Sequence, residues 1–223
     1  MLIAVTSDIH APYFLKLFSD SLENLEEDPD LFILAGDLIE RNQHFYLKKI
    51  YWMIKSKFPN TYIISVFGNN EFIEFREMYK REYSFMNWLE ESYLEFNNYY
   101  ILGTEGALNS LTSWMRRNIP WVKNTWEERI NKIRKLLNEL QDKNVILVTH
   151  YAPCSYTVYG DPAPASLLYS NEFEKILHEF NNIQYVFHGH SHRAKVWKYK
   201  VNQCTILNVS LPLHKKIITV KID

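Results

Sequence analysis

Residues 64–72 read "ISVFGNNEF". An apolar run stops at Gly68, and two amides and an acid follow at once. A turn accounts for these residues taken alone. It does not account for the same event recurring along the chain. Four other apolar runs also stop in polar clusters: Ser7-Asp8-Ile9-His10, Gly36-Asp37-Leu38-Ile39-Glu40, Thr149-His150 and His188-Gly189-His190-Ser191-His192.

The runs themselves predict strands over 2–7, 31–35, 61–67, 99–102, 144–149 and 183–188. Most are continuously apolar rather than alternating, which suits strands covered on both faces in a largely parallel sheet. Amphipathic stretches between them predict helices over 12–27, 41–57, 71–95, 125–142 and 165–180. In 125–142, Trp126, Ile130, Ile133, Leu136, Leu137 and Leu140 recur at helical spacing. Thr125 with Glu128 has the form of a capping box. The closing segments VWKYKV, CTILNVS and KIITVKI follow one another without a helix and predict an antiparallel meander completing a second sheet. The class is therefore α/β. No flexible linker or repeat divides residues 1–223, which read as one domain. The loops 103–124 and 151–164 are long enough to be functional.

The totals narrow the function. The chain has 223 residues, with 25 basic and 26 acidic side chains and a formal charge of −1. That balance supplies no general grip on a nucleic-acid backbone. Two cysteines exclude a disulfide scaffold, though not a single Cys154–Cys204 bridge. The opening MLIAVTSDIH reaches an acid at position 8, so neither a signal peptide nor a membrane span is expected there. The expectation is a cytoplasmic protein with no membrane partner.

Carboxyl ends of strands in open α/β sheets line one crevice. Parallel strands would gather Asp8, His10, Asp37, Asn69, His150, His190 and His192 there. Carboxylates, imidazoles and an amide oxygen are all ligands for a transition metal. Seven exceed one tetrahedral ion and suit two ions sharing a bridge. On an extended chain Asp8 and His10, two apart, would face the same side. His190 and His192 either share an ion or divide between two. Nucleophilic alternatives lack their signatures: no G-x-x-x-x-G-K-[ST] or G-x-S-x-G occurs, and Cys154 has no arginine about seven residues on.

The ordered set D-x-H, G-D-x-x-E, G-N-x-E, H and G-H-x-H, with THYAP at 149–153 and LNVSLP at 207–212, resembles the calcineurin-like metallophosphoesterase family. The resemblance runs from residue 2 to about residue 212 and implies a two-sheet β-sandwich flanked by helices. Carried over position by position, Asp8, His10, Asp37 and His192 would hold one divalent ion. Asp37, Asn69, His150 and His190 would hold the other, with Asp37 bridging. Mixed nitrogen and oxygen ligation suits Mn, Fe, Ni, Co or Zn. The implied reaction is hydrolysis of phosphate esters, diesters ahead of monoesters, by a hydroxide bridging the two ions. The implied substrate is a small phosphate ester or a nucleotide.

Asn70 departs from most of the family, which carries a histidine at this position; members with other residues there include both active esterases and inactive scaffolds. An amide donates a hydrogen bond but has no proton to transfer. Asn70 is expected to donate to a phosphoryl oxygen; the alternative is a metal-binding scaffold with a vestigial site. His44, His188 and Tyr151 are other proton sources to weigh. Arg116 and Arg117, set among Trp114, Met115 and Trp121, are expected to grip the substrate's phosphate, with Tyr151, Tyr156 and Tyr159 near the mouth. Glu40 is expected to orient a histidine or start a helix, and Glu71 to cap a helix. Asn208 reads as a turn residue close to the site.

Overall fold

A computed structural model describes residues 1–222. The chain runs β1 (Leu2–Thr6), α1 (Leu15–Glu23), β2 (Leu31–Ala35), α2 (Tyr46–Lys57), β3 (Tyr62–Val66), α3 (Arg76–Glu82), β4 (Trp88–Leu89), β5 (Ser92–Phe96) and β6 (Tyr99–Gly103). It continues with α4 (Ser113–Asn118), α5 (Val122–Glu139), β7 (Asn144–Val148), α6 (Asn171–Glu179), β8 (Ile183–His188), β9 (Lys198–Val201), β10 (Cys204–Asn208), α7 (Leu211–His214) and β11 (Ile218–Lys221). One sheet has the order β11-β1-β2-β3-β4 and the other β5-β6-β7-β8-β10-β9. The pairs β1–β2, β2–β3, β6–β7 and β7–β8 are parallel, with Ile3 opposite Leu31 and Leu102 opposite Leu147.

The apolar runs are explained by three packed layers. Between the sheets Val5, Ile33, Ile64 and Val66 meet Ile101, Ile146, Val148 and Phe187. The alternate residues of the same strands face outward and are also buried. Phe32 and Leu34 pack under Phe18, Leu47, Ile50 and Ile54 of α1 and α2. Leu147 and Val186 pack under Ile130, Ile133 and Leu137 of α5 and Phe173, Ile176 and Leu177 of α6. Both faces of each central strand therefore lose contact with water, as a continuous apolar run requires.

Three expectations are corrected. The single helix over 71–95 is instead the short α3 flanked by 3-10 turns, followed by β4 and β5. Asn87 turns left-handed (φ 48) and sends Trp88 to stack on Phe67, ring centroids 4.4 Å apart. Ser92–Phe96 then pairs with Tyr99–Gly103 across a turn with Asn97 at φ 53, a residue type that tolerates this region. The Thr125–Glu128 capping box does not form. Helix α5 starts at Val122, just after Pro120, and Thr125 lies inside it. The meander is only a hairpin of β9 and β10: β10 lies parallel to β8, and β11 crosses to pair antiparallel with β1. The short α7, ending in left-handed Lys215, redirects the chain between the sheets. The predicted helix over 165–180 keeps its second half, after a 3-10 turn at Ala165–Leu167. Cys154 and Cys204 are buried free thiols. No helix among the described residues is long and apolar enough to cross a membrane.

Candidate metal centre

The loops after β1, β2 and β3 carry Asp8 and His10, Asp37, and Asn69 with Asn70; those after β7 and β8 carry His150, and His190 with His192. These strand ends meet along the seam between the two sheets. Asp8 (φ 57), His10 (φ 41), Asp37 (φ 51) and His190 (φ 68) hold left-handed backbone. The extended D-x-H pair expected at the end of β1 is therefore a turn. Such backbone survives in a side-chain-bearing residue only where the surroundings fix it.

The fixing contacts are explicit. The Asp8, His10 and Ala11 amides donate to the Gly36, Asp37 and Leu38 carbonyls, each at 3.0 Å. The Glu71 carboxylate accepts from the amides of Asp37 (3.0 Å), Leu38 (2.8 Å), Ile39 (3.2 Å) and Gly68 (2.8 Å). Glu71 thus ties the β2 and β3 loops together and caps no helix. Gly36 (φ 83) lies so close to its neighbours that a Cβ there would sit 2.7 Å from His150 Nδ1. A Cβ on Gly189 would press on Ser7 and Asp8.

Two clusters result. Asp8, His10 and His192 each bring one donor atom within 4.8 Å of the others, and so do Asp37, His150 and His190. Asp37 Oδ2 lies between them, 3.6 Å from His10 Nε2 and 3.5 Å from His150 Nε2. Asn69 Oδ1 is 3.3 Å from His150 Nε2. Three imidazoles are anchored through their other nitrogen: His10 Nδ1 to Glu40 (3.0 Å), His150 Nδ1 to the Ala35 carbonyl (3.1 Å) and His190 Nε2 to the Leu167 carbonyl (3.0 Å). Metal-binding histidines are typically oriented in this way.

The donor set passes a test of fit to cations. His10 Nε2 is buried without a hydrogen-bond partner. Asp8 and Asp37 are 0% and 2% exposed, and neither forms an ion pair with lysine or arginine among the described residues. Burial alone would push the Asp8 carboxyl up, but the His192 hydrogen bond and the His192, His150 and His10 charges hold it well below the usual range. Burial, reinforced by the charge of Asp37, pushes Glu71 up to about 7. Burial and nearby His150 push His190 down to about 4, which favours its neutral, ligating form. Negative groups concentrated without a fixed positive partner call for cations.

Asn70 is tied to Asp37. Its side-chain amide donates to Asp37 Oδ2 and its backbone amide to Asp37 Oδ1, both at 2.8 Å. Its side-chain Oδ1 accepts from the Arg41 backbone amide. Asn70 grips the central carboxylate. His188 is buried with both nitrogens engaged, to the Gly189 carbonyl and to Thr157. His44 bonds Tyr83 instead of facing the clusters. Asn208 bridges the Ser191 carbonyl and the Ser210 amide, a turn role.

A cavity of about 540 Å³ opens beside Asn69, Asn70 and His190, with Tyr151 in its wall. Arg116 and Arg117 are absent from it: both are exposed and bond back onto their own helix, to Leu111, Ser113 and the Ser113 carbonyl. The helix turns Met115 inward and leaves the arginines in water. The buried arginines are Arg76 and Arg129. Arg76 pairs with Glu90 (2.9 Å) and Glu105 (2.8 Å), and Arg129 with Glu91 (2.7 Å) and Glu105 (3.0 Å). The Glu105 carbonyl in turn receives the His150 and Tyr151 amides, so this network positions the loop after β7. Arg129 had a legible signal: it sits on the apolar stripe of α5 between Trp126 and Ile133. Asp161, holding the Ser191 hydroxyl and the Arg193 amide, had none.

Fold and clusters together define a metal-site hydrolase architecture. The sequence profile of the Calcineurin-like phosphoesterase family matches residues 1–194, and the chain belongs to that family. A curated relative from Arcobacter nitrofigilis, named as a probable glycerophosphodiester phosphodiesterase GpdQ, is 22% identical over 221 residues, covering 97% of this chain and 74% of that protein. The structure of a phosphopantetheinyl hydrolase from Mycobacterium tuberculosis superposes with a TM-score of 0.70 at 14% identity, covering 99% of this chain and 96% of that one. A dimetal phosphatase from Danio rerio gives 0.55 at 11% identity, covering 97% and 90%.

Proposed function

We propose that this protein hydrolyses small phosphate esters, diesters ahead of monoesters, using two divalent ions held at the seam between the sheets. The observation that carries the reading is the position of Asp37 Oδ2, within 3.6 Å of imidazole nitrogens from both clusters. In this reading Asp8, His10, Asp37 and His192 hold one ion, and Asp37, Asn69, His150 and His190 hold the other. Mn, Fe, Ni, Co and Zn all suit such a set. A pair of divalent ions supplies Lewis-acid polarisation of the phosphoryl group and activates water at neutral pH.

The chain's own residues supply position and exclusion. Glu40 aims His10, the Ala35 carbonyl aims His150, and the Leu167 carbonyl aims His190. Asn70 fixes the orientation of Asp37 by two hydrogen bonds and brings no transferable proton. No side chain serves as nucleophile: Cys154 is buried, and burial pushes its thiol up. The diester preference is supported by the phosphodiesterase name of the Arcobacter relative and by Asn70, since a reaction without general acid favours a good leaving group. The test is a metal-reconstituted assay against bis(4-nitrophenyl) phosphate and 4-nitrophenyl phosphate, with bound metal counted. Two ions per chain and faster diester cleavage are expected. Bound metal without turnover of either ester would leave a binding scaffold.

A further inference from the structure

The cavity beside the clusters has a mixed lining. Asn69, Asn70 and His190 come from the strand-end loops, and Leu108, Met115, Ile119 and Val122 from α4, α5 and the loop before them form an apolar wall. Leu108, Met115 and Val122 are buried and belong to the core packed around α5, so this wall is built and firm. Of the charged side chains that line it, Arg41 and Glu74 belong to the loops beside the clusters, and the buried ones are committed. Arg76 and Glu105 are paired to each other and to Glu90 and Arg129. The Thr112 hydroxyl oxygen accepts from the Met115 amide as the cap of α4. Trp114 lies at the rim, 54% exposed, and the core does not use it.

The geometry points to an alkyl or aryl group as the organic part of the ester, seated against Leu108, Met115, Ile119 and Val122 while the phosphoryl group faces Asn69, Asn70 and His190. This rests on the phosphoesterase reading above and adds the substrate class. A nucleoside fits the volume, but seated on this wall it is the poorer match. Its hydroxyls and ring nitrogens would face aliphatic side chains and lose their hydrogen bonds to water without replacement. An apolar group gains on transfer for every methylene covered.

The test measures inhibition of bis(4-nitrophenyl) phosphate cleavage on the metal-loaded protein. The inhibitors are methyl-, butyl-, hexyl- and phenylphosphonate, with thymidine 5′-monophosphate alongside. The inhibition constant should fall by about fourfold for each methylene that reaches the wall. A constant that is flat along the series, or lowest for the nucleotide, overturns the inference. Calorimetric titration of the same phosphonates decides the question even where the ester is not turned over. Absence of cleavage of any ester would refute the phosphoesterase reading, whereas cleavage with a flat series refutes only the pocket assignment. Location is read by ¹³C-methyl methionine spectra. The Met115 signal, identified with Met115→Leu, should move with hexylphosphonate and stay with methylphosphonate; a stationary signal counts against the site. Trp114→Ala, at an exposed position, should shrink the hexyl-to-methyl affinity ratio several-fold, and an unchanged ratio removes the rim from the pocket.

Discussion

Replacing Gly36 by alanine probes how tightly the two sheets are joined at the site. Two penalties add. A left-handed alanine costs about 1–2 kcal/mol, and Gly36 sits at φ 83. The new methyl would also lie 2.7 Å from His150 Nδ1 and 2.9 Å from the Gly68 amide nitrogen; forcing such groups apart costs about 1–3 kcal/mol. The sum is about 2–5 kcal/mol. At about 2–4 °C per kcal/mol for a chain of this size, the melting temperature should drop by about 4–20 °C. Gly106 provides the control. It has nearly the same φ, 87, but a methyl there would meet Tyr151 and Thr149 no closer than 3.4 Å, so Gly106→Ala carries the strain without the crowding. Thermal unfolding of both variants by circular dichroism separates the terms. Equal losses for the two would refute the crowding argument. Because His150 is the group displaced, Gly36→Ala should also retain less metal than Gly106→Ala.

Glu40→Ala should weaken the cation affinity of the Asp8–His10–His192 cluster by about 10–100-fold through loss of the His10 anchor, measured by competition with a chelating dye. Among diesters of differing leaving groups the rate should fall steeply as leaving-group pKa rises, because Asn70 offers no acid; a flat dependence would mean another side chain donates the proton. Burial alone would raise Glu105, but Arg76 and Arg129 hold it down at about 2. Its folded value lies below the unfolded value of about 4.3, so its charge stabilises above that value and the contribution is lost as pH falls toward 2. Glu105→Gln should therefore be less stable than wild type at pH 7, with the gap narrowing in urea unfolding at pH 3.

The central strands were legible because a strand buried on both faces must be apolar throughout, and β2 and β8 fall where the runs predict. The clustered residues were legible because five polar breaks at strand ends are too regular for turns. What escaped depended on partners distant in sequence. Trp88 leaves the helical pattern because Phe67 is there to stack on. Arg116 and Arg117 looked like phosphate ligands beside aromatics, but the face that α4 presents is set by the apolar pocket Met115 fills. The hold of Asn70 on Asp37, a residue 33 positions away, had no signal in the sequence.

The left-handed backbone at Asp8, His10, Asp37 and His190 has a consequence for how this molecule fails. At about 1–2 kcal/mol each, the four together come to about 4–8 kcal/mol, a large part of the margin of about 5–15 kcal/mol by which a folded protein outweighs its unfolded chain. The crevice is a set spring, and the paired sheets are the frame that keeps it drawn. Damage to the frame, even a core methyl lost far from the seam, should let the loops slacken before the strands part. On the two-ion reading proposed above, cation retention is then a finer gauge of intactness than ellipticity, since secondary structure can outlast the geometry of the crevice.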